Sequence, residues 1–450
     1  MGKPSIPKGT RDFLPKQMAG RNYIFDTVKT IFKNHGFLQI ETPAVENLST
    51  LTGKYGEEGD QLMFKILNRG DKFKKAISNR CEKETDFAEL ALKYDQTVPF
   101  ARFVVQNQNE IIFPFKRFQI QPVWRADRPG KGRYREFYQC DVDIFGSDSL
   151  LCEVEFIQIY NEVLTALKIP NYTIKINNRK VLYGIAEVVG EKEKIIDITV
   201  AIDKLDKIGL EKVNQEMSNK GVSDDAIDKL QSIINLSGST GEKLTALKTF
   251  LSSSEKGLKG VEELNYIFDF VKELGVESSI TLDVNLARGL NYYTGIIFEV
   301  ESVGFKGSIC GGGRYDGLTD QFGLKDMGAV GISFGADRIY DVLLENDLFP
   351  KEVFQTLDVF FVNFGEYEER YIMPMLSELR SRGVSSEIYP TAGKMKKQMS
   401  YANSKGVRYV VLIGSNEIET GQISVKDMNT GSQKEMHFKQ FLDIFSNSET

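Results

Sequence analysis

Two runs of alternating character flank a short charged segment between Phe115 and Ile144, and no other stretch constrains the fold as tightly. In the first run Arg117, Gln119, Gln121, Val123 and Arg125 share one parity, while Phe118, Ile120, Pro122 and Trp124 share the other. In the second, Phe137, Gln139, Asp141 and Asp143 alternate with Tyr138, Cys140, Val142 and Ile144. Successive strand residues point to opposite faces, so each run reads as a strand with a wet face and a dry face. Nine residues rich in Gly, Pro and charge, Ala126 to Tyr134, join them. The whole therefore predicts an antiparallel hairpin with a long basic tip. Pro122 argues for an edge or a bulge near the end of the first strand. With this pairing Arg125 is expected to face Gln139, Asp141 and Asp143. Alternation alone allows a cross-strand salt bridge on a surface sheet as readily as a ligand site.

Around the hairpin the chain is long enough, at 450 residues, for about three domains. Ile24, Val28, Ile31 and Phe32 recur at helical spacing, Gly36 is placed to stop that helix, and Phe37 to Ile40 continue as a strand until Pro43. From about residue 178 to 278 the sequence is rich in Lys, Glu and Asp with helical apolar spacing, and Gly190, Gly209, Gly221, Gly238 and Gly257 read as breaks. This stretch is expected to be a helical insertion. Strand signals return at Ile280 to Val284, Ile296 to Val300 and Gly328 to Phe334, the last leading into a helix from Ala336. A boundary is expected near Phe349 and Pro350. Beyond it strand and helix alternate through Asp358–Val362, Met375–Leu379, Ser386–Tyr389, a Lys-rich helix and Tyr409–Ile413, which predicts a small α/β domain over 351–450.

Composition removes several kinds of chemistry. With two histidines, His35 and His437, in different predicted domains, a zinc hydrolase, a Ser-His-Asp triad and a Cys-His pair all lack their parts. Cys81, Cys140, Cys152 and Cys310 contain no CxxC pair, so reduced packing cysteines are expected, with no zinc and no organic cofactor. The start, MGKPSIPKGTRDFLP, has no apolar signal region, and the apolar run Tyr409–Ile413 is far too short for a bilayer, so a cytoplasmic protein is expected. A net charge of -6 discourages global attraction to a polyanion, but the basic residues are clustered. Pro114 to Arg135 carries seven of them against one acid, Asp127, and Pro390 to Arg408 carries five against none. Either patch alone reads equally well as a solvated face; two on an acidic chain suggest a long anionic ligand touched at two places.

The loop WRADRPGKGRYREF suits a triphosphate, because guanidinium forks bind phosphate oxygens in pairs and glycine admits close backbone approach. Here a resemblance enters. FKRFQIQPVWRADRPGKGRYREFYQCDVDIFG resembles motif 2 of class II aminoacyl-tRNA synthetases, GAVGISFGADRIY resembles motif 3, and GFLQIETP is similar to the dimer-forming motif 1. LARGLNYYTGIIFEV, CGGGRYDGL and KGTRDFLP closely resemble histidyl-tRNA synthetase signatures. The resemblance spans the chain. It implies an α/β class II catalytic domain built on an antiparallel sheet over 1–350, interrupted by the helical insertion, followed by an α/β anticodon-binding domain over 351–450.

The resemblance also implies the chemistry: histidine and ATP, with Mg²⁺, form histidyl-adenylate with release of diphosphate, and the acyl group passes to the 3′ end of tRNA(His). Carried over residue by residue, Arg125 grips the ATP α-phosphate, Asp127 and Tyr134 lie on the adenine side, and Arg133 and Arg338 meet the outer phosphates. Arg338 falls in the first turn of its predicted helix, where the dipole also favours an anion. Arg125 and Arg288 are implied as the catalytic arginines, Arg288 set between the α-phosphate and the substrate carboxylate. Asp95, Gln96, Thr97 and Gln139 are implied around the histidine α-amino group. Asp143 with Tyr292 or Tyr293 would then hold the imidazole, and Gly311 to Gly313, by themselves only a turn or generic phosphate loop, would line that pocket. Lys394 and Lys397 are implied at the anticodon, Arg128 and Lys131 at the acceptor end, and the assembly as a homodimer.

Three alternatives remain open at this stage. A noncatalytic histidine-binding paralogue, such as the regulatory subunit of ATP phosphoribosyltransferase, shares the fold but is expected to lack the C-terminal domain and the three phosphate-suited arginines Arg125, Arg288 and Arg338. A synthetase for proline, threonine or glycine is opposed by RGLNYYTG. A pure RNA-binding module is opposed by the arginines in motif context. Gln96, Asn291 and the segment Leu67–Glu89 depart from the family pattern; the last is expected to be an inserted, mobile loop.

Overall fold

The computed structural model describes residues 3–288, 292–355 and 357–446. The chain divides into two compact units, 1–348 and 349–450.

In the first unit the hairpin strands Phe115–Trp124 and Glu136–Phe145 lie inside an eight-stranded sheet. Its order is Leu38–Gln39, Phe115–Trp124, Glu136–Phe145, Ala329–Gly335, Cys310–Arg314, Ile296–Ser302, Tyr172–Asn178, Ile280–Leu282. Neighbours run antiparallel except for the outermost pair at each edge. The edge strand Leu38–Gln39 pairs only with Arg117 and Phe118, so Pro122 lies where nothing on that side needs its missing N–H. The dry face packs on the helices Pro15–Asn34 and Leu151–Ala166. Phe32 meets Phe118 at 5.6 Å and Phe334 at 5.8 Å, and Tyr160 meets Phe334 at 5.3 Å.

The register corrects one expectation. Arg117 stands opposite Asp143, Gln119 opposite Asp141 and Gln121 opposite Gln139. Arg125 lies past the paired carboxylates, its backbone N–H donating to the Arg135 carbonyl. The wet face is also not a surface: Arg117, Gln119, Asp141 and Asp143 are all buried, with the Arg117 guanidinium 4.0 Å from the centre of the Phe100 ring.

Between 178 and 278 the chain is helical from Arg179–Val188 through Glu255–Glu273. Gly190, Gly209, Gly221 and Gly238, all at positive φ, separate helices. Gly257 does not: it lies inside the last helix, where a β-carbon on Gly184 of the first helix would come 2.5 Å from its Cα. The GGG run is likewise a strand and not a turn, because a β-carbon on Gly312 would meet the Gly331 carbonyl oxygen at 2.2 Å, an approach between strands that only glycine permits. Leu67–Glu89 is not a structureless loop. It contains the helices Asp71–Ser78 and Glu84–Phe87, held together by a Phe73–Phe87 edge contact at 6.3 Å.

The second unit is a five-stranded sheet ordered Ser386–Ile388, Val359–Phe361, Tyr409–Leu412, Gln422–Asp427, Gln433–His437. The first three strands are parallel and the last two, which the sequence pattern did not reveal, are antiparallel. Helices Glu366–Ser381 and Phe438–Ser446 contribute Ile372, Leu376 and Phe441 to a core with Phe361 and Val411, while Ala402 packs with Phe360 and Val410.

Candidate active site

A cleft enclosing about 1140 Å³, solvent at its mouth included, opens over the former wet face of the hairpin. Asp95, Thr97, Arg125, Asp127, Arg133, Tyr134, Gln139, Asp143, Arg288, Tyr292, Tyr293 and Arg338 all line it, although they come from points more than 240 residues apart. Gln96 does not. Its side chain is fully buried and donates to the carbonyls of Gln121 and Gln139 at 2.8 and 3.0 Å, tying its loop to both hairpin strands. Arg128 and Lys131 lie outside the lining on the exposed hairpin tip, where Lys131 pairs with Glu345 at 2.8 Å. Lys394 and Lys397 are exposed in the second unit. Asn291 lies outside the described residues.

One end of the cleft is cationic. Arg125 donates from Nε to the Tyr94 carbonyl at 3.1 Å, with its guanidinium 4.3 Å from the Tyr94 ring and 5.3 Å from Phe137. Arg338, in the first turn of Ala336–Glu345, donates to the carbonyls of Gly132 and Ser308. Burial, followed by the like charges of Arg125, Arg133 and Arg288, pushes its pKa down. Four guanidiniums thus crowd one volume, an arrangement that an anion relieves. Arg288 adopts φ 55° and pairs with Glu299 at 3.2 Å. Its guanidinium occupies the space that a side chain on Gly311 would take.

The other end is carboxylate-rich. Asp95 accepts from Tyr55 at 2.9 Å, from Tyr292 at 3.3 Å and from the Val98 N–H at 3.2 Å; burial nevertheless raises its pKa. Asp143 forms an ion pair with Arg117 at 2.8 Å and accepts from Tyr315 at 2.5 Å. Gly331 leaves room for it, since a β-carbon there would lie 1.9 Å from the Asp143 Oδ1. Gln139 donates to the Ser333 hydroxyl at 3.0 Å, and Asp141 lies between Gln139 and Asp143 on the same wall.

Sequence reasoning missed Arg117, Asp141, Ser333 and Tyr315 as site residues. Arg117 and Asp141 were visible as polar positions in the alternation, but only the register sets Arg117 behind Asp143 and turns Asp141 to the cleft. The KGTRDFLP opening also acquires a place: Arg11 lies 3.3 Å from the centre of the Tyr134 ring and pairs with Asp337 at 2.5 Å. Arg21 pairs with the same carboxylate, which also accepts the Tyr138 N–H at 2.9 Å. The N-terminal segment therefore braces the hairpin against the helix that carries Arg338.

Comparison with known proteins places these features in context. A family model described as "Histidyl-tRNA synthetase" matches residues 9–339, and one described as "Anticodon binding domain" matches 358–448. A histidine–tRNA ligase of Phocaeicola vulgatus is 59% identical over 438 residues, covering 96% of each chain. One from Bacteroides fragilis is 58% identical over 439 residues, again covering 96% of each. The crystal structure of a histidyl-tRNA synthetase from Nostoc sp. PCC 7120 superposes with a TM-score of 0.84 at 31% identity, covering 99% of both chains.

Proposed function

Because the chain belongs to the histidyl-tRNA synthetase family, we propose that this cleft is where it activates histidine with ATP. The enzyme is an aminoacyl-tRNA synthetase, a histidine–tRNA ligase by its relatives, and its class uses ATP. The observation that supports the site assignment is one cleft lined both by four clustered guanidiniums and by buried carboxylates, which matches a substrate pair of a polyphosphate and an ammonium.

Histidine lies with its ammonium against Asp95, Thr97 and Gln139 and its imidazole toward Asp143 and the Tyr292–Tyr293 pair. Its carboxylate meets the α-phosphate of MgATP between Arg125 and Arg288. Attack of a carboxylate oxygen on that phosphorus breaks the bond to the bridging oxygen, and diphosphate leaves toward Arg133 and Arg338. Asp127 and Tyr134 lie on the adenine side. No side chain need exchange a proton in this step; the arginines supply positioning and charge stabilisation. The adenylate then yields its acyl group to a ribose hydroxyl at the 3′ end of tRNA(His). Mg²⁺ enters with ATP, bound through the phosphates. A site whose polar groups each expect a partner rejects apolar isosteres by about 10⁴–10⁵, so a separate editing site is not needed.

The exposed Lys394 and Lys397 contact the anticodon, Arg128 and Lys131 lie toward the acceptor end, and the enzyme works as a cytoplasmic homodimer. No described helix is long and apolar enough to cross a membrane. The noncatalytic-paralogue reading is less supported, because the ligase relatives match through both units. Charging of a tRNA(His) transcript with labelled histidine tests the assignment. ATP-dependent accumulation of histidyl-tRNA is expected, and histidine binding without charging contradicts it.

A further inference from the structure

Asp141 is used by none of the steps above, yet it is 3% exposed and lines the cleft. Its Oδ1 is buried without a hydrogen-bond partner, while the Ser333 hydroxyl donates to the same carboxylate. Facing it are Arg117 and Lys93, the carboxylates of Asp95 and Asp143, the phenols of Tyr160, Tyr293 and Tyr315, and the hydroxyl of Ser333. Neither cation donates to the Asp141 Oδ1. Arg117 is paired with Asp143, and the Lys93 ammonium is hydrogen-bonded to Thr42 and, at 2.6 Å, to Gln121. Asp95 is the carboxylate assigned to the substrate ammonium. The free Oδ1 of Asp141 is therefore left without a fixed hydrogen-bond donor when histidine binds.

Geometry indicates what answers it. Asp141 and Asp143 are alternate residues of one strand and share a face, about 6.7 Å apart along it. An imidazole ring with a hydrogen bond of about 2.8 Å at each nitrogen spans roughly that distance. A neutral imidazole, however, offers one N–H and one lone pair, so two ionised carboxylates cannot both be satisfied. We propose that Asp141 is a further histidine-binding residue, opposite Asp143 across the substrate imidazole, and that each histidine binds with uptake of one proton held on the imidazole–Asp141 hydrogen bond. This rests on histidine being the ligand of this cleft.

The direction of the pH dependence follows. Burial, then the charge of Asp143, opposed by Arg117, push the free Asp141 carboxyl up to about 7. Above that value neither Asp141 nor free imidazole, whose pKa is ordinarily about 6.5, carries the proton, so solvent must supply it and binding weakens as pH rises. Between about pH 6.5 and 7 the two partners together already carry about one proton and the uptake vanishes; nearer pH 6 both are protonated and binding releases protons.

Calorimetric titration of the full chain with L-histidine, in buffers of different ionisation enthalpy, counts the protons. At about pH 8 uptake is expected to approach one per histidine, with affinity falling about tenfold per pH unit above that. Asp141→Asn is expected to abolish the uptake and flatten the affinity between about pH 7 and 8.5. Histidine binding to the wild type without proton uptake at pH 8, or undiminished uptake in Asp141→Asn, overturns the proposal alone. Failure of the wild type to bind histidine at all overturns the proposal and the reading it rests on.

Discussion

A β-carbon on Gly311 would lie 2.0 Å from Nη1 of Arg288, so the glycine is the space in which that guanidinium sits. The obstructed atom is the end of a flexible side chain and not backbone, so Gly311→Ala is expected to fold and to displace Arg288. Arg288→Ala should lower the adenylation rate by roughly a hundred- to a thousandfold, the scale of losing one preorganised charge-stabilising donor. Gly311→Ala should do nearly the same, and the double variant should be no slower than the worse single one, because both remove one interaction. Additive losses in single-turnover adenylate formation would show that the two residues act separately.

Arg338 is surrounded by three other arginines, and burial together with their charge lowers its pKa. Ligands that bind only the folded state raise its stability, by about 2.7 kcal/mol at a hundredfold excess over Kd. Diphosphate should therefore raise the Tm of the wild type. Arg338→Ala should lose most of that rise while keeping the rise produced by histidine. Equal diphosphate shifts in the two proteins would remove Arg338 from the outer-phosphate site.

Glu153 and Arg314 form a two-pronged ion pair, at 2.6 and 2.7 Å, with both side chains almost wholly buried, away from the cleft lining. Removing Glu153 leaves buried Arg314 only the longer, more exposed pair with Asp316 at 3.2 Å, and Glu153→Ala is expected to cost about 3 kcal/mol, the low end for breaking a buried pair. The sole tryptophan, Trp124, lies in the same unit and reports its urea unfolding by fluorescence. A loss below about 1 kcal/mol, the scale of exposed pairs, would mean that water reaches this one.

Lys394 and Lys397 are exposed and flank the Lys-rich helix Met395–Ser404 from its N-cap into its first turn. If each contacts a tRNA phosphate, its replacement by Ala should lower the slope of log K against log salt by about 0.7–0.9. Adenylation, confined to the other unit, should not change. Loss of adenylation in either variant would argue against separate duties for the two units.

The hairpin could be read from sequence almost residue for residue, because period-two alternation interrupted by a Gly- and Pro-rich loop has few other solutions. What alternation could not reveal was the register. It assigned the acidic partners to Arg125, whereas pairing sets Arg117 against Asp143 and leaves Arg125 free to reach into the cationic end. Nor could it tell a solvated polar face from a buried one, since Gln119 and Asp141 look the same in either setting. The GGG strand was illegible for a related reason: glycine in a strand is explained only by the neighbouring backbone it admits, here the carbonyl of Gly331. Arg288 and Arg338 were reached through motif resemblance. Neither their spacing nor their local composition distinguishes them from surface arginines.

The reaction proposed for this cleft is the activation of histidine with ATP. Exchange of labelled diphosphate into ATP, run with each of the twenty amino acids in turn, measures it without tRNA. The account predicts exchange with histidine and background with the rest, falling by roughly a hundred- to a thousandfold in Arg288→Ala. Exchange that is independent of histidine, or histidine binding with no exchange in the wild type, would contradict it.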